Sequence, residues 1–129
     1  MRTCPFWSLV ARRVGNIELG LHAHAAYLAR AGTPRSMAEL AQHAVIGFDR
    51  ETAFIRGLRH TLGGLKRDSF ALRSDSDLAQ LAALRAGYGI GICQVGLAQR
   101  DDPPLVRLLP RQFALQLDTW ITMHEDLRD

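Results

Sequence analysis

Hydroxyl and carboxylate side chains gather at two points of the sequence where an apolar run gives way to polar residues. The two groups are Phe48, Asp49 and Thr52 after the first run, and Ser74, Asp75 and Ser76 after the second. Free backbone N–H groups at a strand-to-helix transition attract polar ligands, although the same residue types also serve as helix caps. In parallel α/β sheets, ligands bind beyond the carboxyl ends of the strands. We therefore expect the two groups to line one cleft.

Residues with catalytic or metal-binding chemistry form no pattern typical of an active site. His22 and His24 would share a face of a strand, but no third ligand follows at zinc-binding spacing. Ser74 lacks a nearby His and a Gly-x-Ser-x-Gly elbow. The glycine-rich run at 87–91 follows a helix and opens a strand, the reverse of a phosphate-binding loop, so it indicates a helix end and close packing. We predict no catalytic residue, metal or cofactor.

The segment 67–95 is predicted to position the second group as a strand, a helix and a strand. Asp77 is the expected N-cap of this helix, with Gln80 as the other half of a capping box. Gly87 stands where the helix end requires a positive φ. Because a helix joins the two strands, we expect them to be parallel neighbours.

Strand and helix patterns also alternate along the rest of the chain. Strands are predicted at 14–22, 44–48, 105–109 and 115–123, and helices at 23–30, 36–42 and 52–62. This alternation predicts an α/β fold.

Composition narrows the function classes. The chain has 129 residues, 47% of them hydrophobic and 22% charged, with a net charge of +3. The basic surplus lies in residues 1–60, where Arg12-Arg13 is the only doublet and no basic stripe occurs, so direct DNA contact is not expected. No apolar run approaches the ~20 residues that span a membrane, and the start lacks a signal-peptide core. We expect a cytoplasmic protein that does not contact a membrane, with Cys93 as a small buried hydrophobe.

Several stretches, taken in order and spacing, carry a resemblance to a known family. They are 9–15, 26–36, 40–49, 84–93, 108–110 and 123–128. Together they resemble the effector-binding domain of LysR-type transcriptional regulators from bacteria. The resemblance implies a fold like a periplasmic type II binding protein, in which two α/β lobes are joined by two crossing strands. It also implies a small-molecule effector in the cleft between the lobes, contacted by the two groups above.

The resemblance covers only part of the family's domain. Residues 1–8 are unassigned, and 9–129 correspond to a partial effector-binding domain. Residues 24–93 are expected to form nearly all of the second lobe, with 9–22 and 95–129 as a remnant of the first. No stretch has a helix-turn-helix pattern, so DNA is expected only as a partner of a domain absent from this chain. The face left without its first lobe is expected to cause self-association.

Three functions remain open at this point. The first is a sensing module of a LysR-type regulator, which is not an enzyme. The second is a stand-alone solute-binding protein of the same fold. The third is a small α/β enzyme, which would need a nucleophile–base pair in a cleft.

Overall fold

The computed structural model describes residues 2–3, 9–50, 52, 56 and 69–124. Strands and helices alternate, as the α/β prediction requires. In chain order the elements are β1 (Arg2–Thr3), β2 (Leu9–Ala23), α1 (Ala25–Ala31), a 3₁₀ helix (Met37–Gln42), β3 (Ile46–Gly47), β4 (Leu72–Arg73), α2 (Asp77–Arg85), β5 (Gly91–Gln94), α3 (Val95–Arg100), β6 (Val106–Leu108) and β7 (Leu115–His124). The helix predicted over 52–62 lies outside the described residues, apart from Thr52 and Arg56.

The long strand β2 carries the larger sheet. Leu19 pairs with Leu115 of β7 on one edge and with Gln94 of β5 on the other, and all pairings are antiparallel. β6 pairs with β2 on the same edge as β7, where Leu108 lies opposite Leu21. β1 pairs with β2 near the start of that strand. The predicted strands 14–22 and 115–123 are therefore confirmed, and part of the unassigned stretch 1–8 joins the same sheet.

The two strands joined by α2 are not neighbours, so that expectation is wrong. β3 lies between them: Ile46 pairs in parallel with Leu72 of β4, and Val45 forms a parallel bridge with Ile90 just before β5. Backbone bonds satisfy both edges of β3, from Ala71 N to Val45 O at 2.9 Å and from Ile46 N to Ile90 O at 2.7 Å. Because Val45 and Ile46 are almost fully buried, β3 takes the central position.

Two apolar clusters lie on opposite faces of these strands, since Val45 belongs to one and the next residue, Ile46, to the other. The first contains Leu21, Ala23, Tyr27, Leu40, Val45, Ile90, Leu108, Leu109 and Phe113. The second contains Ile46, Leu84, Cys93, Ala98 and Leu105. Both clusters thus combine side chains from 98–113 with side chains from 24–93. The packing shows no boundary at residue 95. Cys93 is buried and unbridged, as predicted.

The glycine-rich run serves packing, as its order relative to the helix predicted. Gly87 ends the turn after α2 with a φ of 74°. A Cβ on Gly89 would overlap the backbone of Ala44, because the strand leading into β3 passes directly against it. In the part of the chain described here, no helix is long and apolar enough to cross a bilayer.

His22 and His24 do not act as a pair. His24 caps α1, since Ala26 N donates to its Nδ1 at 2.9 Å, whereas His22 is fully buried in β2. Burial lowers the pKa of His22 below its ordinary value of 6.5. The hydrogen bond from its Nδ1 to the Gly20 carbonyl at 3.0 Å raises this pKa, and the charge of Arg107 lowers it.

We predict that protonation of His22 destabilises the fold. The unfolded chain takes up this proton near pH 6.5, before the folded chain does, so the free energy of unfolding falls as the pH drops below about 6.5. His22→Asn should reduce this pH dependence in urea unfolding between pH 5 and pH 8. Equal slopes for the wild type and His22→Asn would contradict the prediction.

Candidate functional site

The structure brings the two polar groups together at the carboxyl ends of β3 and β4. Asp75 Oδ1 accepts hydrogen bonds from Asp49 N at 3.0 Å and Arg50 N at 2.9 Å. Ser74 N donates to Gly47 O at 3.0 Å, which continues the parallel pairing beyond the last strand residues. These bonds join the ends of β3 and β4 into one continuous polar edge.

Most of the polar side chains at this edge bond to the backbone. Ser76 Oγ accepts from Ala79 N at 3.2 Å, and Ser74 Oγ accepts from Ser76 N at 3.1 Å. Ser76 is therefore the N-cap of α2 and Asp77 is its first residue, which corrects the predicted cap. Adjacent Ser and Asp residues are both good caps, and Ser76 has the extended backbone that the position requires.

Gln80 does not complete a capping box, which is a second correction. Its Nε2 donates to Ser74 O at 2.6 Å and to Gly47 O at 3.3 Å, and only 5% of the residue is exposed. The side chain lies beneath the helix, where it ties the end of β3 to the end of β4. A buried amide that bonds two strand ends positions the edge more rigidly than an exposed cap would.

A cavity of about 430 Å³ opens next to this edge. Its walls come from β2, β7, α2, the end of β5 and the start of α3. The lining residues are Leu19, Phe48, Asp77, Leu78, Gln80, Leu81, Ile92, Cys93, Gln94, Leu97 and Leu117. The two longest strands, β2 and β7, contribute Leu19 and Leu117 to one side of this space, which is called the hinge cavity below.

Of the six predicted site residues, only Phe48 lines the hinge cavity. Asp49, Ser74, Asp75 and Ser76 belong to the adjacent polar edge, and the Thr52 carbonyl accepts a backbone bond from Arg56 N at 2.9 Å. The sequence reasoning missed Gln94, although the carboxyl-end rule applies to β5 as it does to β3 and β4. No local signal identified Leu19 or Leu117, because their strands are far from β3 in sequence.

The ionisable groups near the hinge cavity are poorly suited to covalent chemistry. Burial raises the pKa of the Cys93 thiol, so it stays protonated and is a weak nucleophile at neutral pH. Arg85 and Asp101 form a bidentate ion pair, with Nη2 and Oδ1 2.8 Å apart. The Arg85 bonds hold the pKa of Asp101 below its usual range, so this carboxylate is ionised. Among the described residues, no cluster of three or more metal-ligating side chains occurs.

Comparisons with known proteins define the class. A family model described as the LysR substrate binding domain matches residues 3–129. The chain belongs to this family. A search of the curated proteins found no match.

Solved structures with a similar fold are regulatory domains of LysR-type regulators. The regulatory domain of CrgA from Neisseria meningitidis is 24% identical with a TM-score of 0.74, and the match covers 97% of this chain and 63% of that one. The regulatory domain of AphB from Vibrio vulnificus is 18% identical with a TM-score of 0.65, over 96% and 63%. The effector domain of AmpR from Pseudomonas aeruginosa is 21% identical with a TM-score of 0.60, over 95% and 58%.

These likenesses establish the fold. It is the periplasmic-binding-protein type II-like fold of LysR regulatory domains, and this chain spans about three fifths of the length of the domains it matches. The fold class and the family expected from the sequence are both confirmed.

We predict that Asp75 holds the polar edge together. Asp75→Ala removes the acceptor of two backbone N–H groups and should lower the free energy of unfolding by about 1–2 kcal/mol, measured by urea denaturation. Asp77→Ala removes the same charge from the first turn of α2 and should cost about 0.3–1 kcal/mol. A smaller effect for Asp75→Ala than for Asp77→Ala would show that the edge does not depend on this carboxylate.

Proposed function

We propose that the chain is the small-molecule sensing module of a LysR-type transcription regulator, with no enzymatic activity of its own. The observation that carries this proposal is the hinge cavity, which opens at the carboxyl ends of parallel strands beside a rigid polar edge. Cavities of this size and position are the usual ligand sites of open α/β sheets. Family membership supports the same function, since the relatives with solved structures are regulators or their effector domains.

The residues that we assign to effector binding are Phe48, Asp49, Thr52, Ser74, Asp75 and Ser76. Phe48 contributes an apolar wall of the hinge cavity, and Asp49, Ser74, Asp75 and Ser76 form the polar edge beside it. Thr52 follows the same strand end in the sequence. Contact with DNA, in this proposal, belongs to a different domain and not to this chain. A cytoplasmic location follows from the same role.

We also propose a revised division of the chain into lobes. One lobe comprises residues 24–113, because each apolar cluster combines side chains from before and after residue 95. β2 and β7 are then the two crossing strands, which pair with each other between Leu9 and Leu19. An effector in the hinge cavity would contact both the lobe and the crossing strands, and it would thereby influence the angle between lobes.

Binding can be tested with thermal shifts against a panel of organic acids, amino acids and uncharged aromatic compounds. We expect a saturable rise in Tm for at least one compound. The double variant Thr52→Ala/Ser74→Ala should weaken that compound's binding without unfolding the chain. Thr33→Ala/Ser36→Ala changes the same residue types at a distant helix start, and should leave the affinity unchanged.

Two outcomes would contradict different parts of the proposal. Saturable binding with equal affinity in both double variants would remove Thr52 and Ser74 from the site. An absence of saturable binding across the whole panel would contradict the sensing function itself.

We infer that copies of this chain associate. Large apolar side chains remain exposed in the described part of the chain, with Leu78 at 79% and Tyr88 at 45% exposure. Burying such groups between copies removes apolar surface from water. Light scattering should give a mass above 14.3 kDa that rises with concentration. A constant monomer mass over a broad concentration range would refute this inference.

A further inference from the structure

We propose that the hinge cavity binds an uncharged, largely apolar small molecule. This inference rests on the proposed sensing function and specifies the class of its effector. Seven of the eleven lining residues are Leu, Ile or Phe, and they come from separate elements that surround the space. A ligand held there gains its affinity mainly from removing apolar surface from water.

The described side chains that line the cavity offer an anion no positive charge. None of the described lining residues is Lys, Arg or His, and the one lining carboxylate is Asp77. A carboxylate or phosphate entering this space would lose its hydration without gaining a cationic partner, and it would be repelled by Asp77. The cost of burying an unpaired charge therefore opposes anionic effectors.

The same charges give a cation little advantage. Asp77 is exposed to water and is the first residue of α2, where the helix dipole already stabilises its negative charge. An ion pair with a ligand amine at such an exposed position contributes about 0–1 kcal/mol. The apolar walls would offset this gain by desolvating the amine. An uncharged molecule avoids both the desolvation cost of an anion and the desolvation cost of an amine.

Two amide side chains line the cavity, and they differ in what they can offer. Gln80 is buried, and its Nε2 already donates to Ser74 O and Gly47 O. Gln94 is exposed at the N-cap of α3, where its side chain makes no capping hydrogen bond. Gln94 is therefore placed to exchange a hydrogen bond with one polar group of the ligand. The ligand expected has an apolar body and a single polar end.

The shape of the space favours a small molecule over a protein segment. Its volume of about 430 Å³ lies within the range of about 300–1,000 Å³ that is usual for ligand pockets. Gln80 and Cys93, which line it, are buried, so the space extends inward from the surface. A flat exposed patch would have no such buried lining residues.

The experiment uses two probes that share one aromatic skeleton. N-phenyl-1-naphthylamine is uncharged, and 1-anilinonaphthalene-8-sulfonate carries a sulfonate on the same framework. In fluorescence titrations of the chain, we expect saturable binding of the uncharged probe with a Kd at least about tenfold lower than that of the sulfonate. Equal affinities, or tighter binding of the sulfonate, would overturn the proposal.

A positive charge placed at position 94 should reduce this preference. Gln94→Arg adds a cation at the cavity without removing a capping bond, so the Kd of the sulfonate probe should fall and the ratio of the two Kd values should change by about tenfold. Gln99→Arg adds the same charge to an exposed position of α3 that does not line the cavity, and should leave the ratio unchanged. Equal changes in both variants would show that the probes bind elsewhere.

The outcomes separate this proposal from the function on which it rests. If an organic acid of the panel binds in a Thr52- and Ser74-dependent manner while the uncharged probe does not bind, the sensing function stands and the ligand class is wrong. If neither the probes nor any panel compound binds saturably, both proposals fail.

A bulky side chain inside the cavity provides a further test. Leu97→Trp fills the cavity and should raise the Kd of the uncharged probe at least about tenfold. Unchanged probe binding in a folded Leu97→Trp variant would also overturn the proposal.

Discussion

Backbone pairing along both edges of β2 is the constraint on which the rest of the structure depends. In the buried end of β2, backbone N–H and C=O groups must find partners in neighbouring strands, and Leu21 and His22 pair with β6 on one edge and with β5 on the other, while β7 pairs along the rest of the first edge. β5 in turn leads from the bridge between Ile90 and Val45, so the position of β3 and β4 follows from this ladder. The hinge cavity exists because β2, β5 and β7 converge beside the end of β3.

The polar edge next to the cavity is held by side chains that the sequence presents as ligand contacts or caps. Asp75 bonds the backbone of the segment after β3, and Gln80 bonds the ends of both β3 and β4. These bonds make the edge rigid before a ligand binds. Preformed walls lower the ordering cost of binding, so that more of the contact made in the cavity contributes to affinity.

For an anionic ligand, both burial and the charges around the cavity would be unfavourable. Burial keeps the thiol of Cys93 protonated, and the nearby cation Arg85 is engaged by Asp101. None of the described residues lining the cavity is a cation, Asp77 stands at its margin, and Arg50 on the polar edge is paired with Asp75. Selection against anions would then require no dedicated residue, because it results from the cost of desolvating a charge without a partner.

Local pattern in the sequence determined the elements, because periodicity and end signals depend on neighbouring residues. The alternation at 115–123 predicted β7, the apolar run at 44–48 predicted β3, and Gly87 ends its turn with a positive φ. The order and spacing of these elements were also enough to identify the family. Only the tertiary structure decided that β3 lies between β4 and β5, that Ser76 and not Asp77 caps α2, and that Leu19, Gln94 and Leu117 line the cavity with Phe48. The physical reason is that strand order and cavity walls depend on contacts between segments that are far apart in the chain. A local sequence pattern carries no information on the relative energies of such contacts.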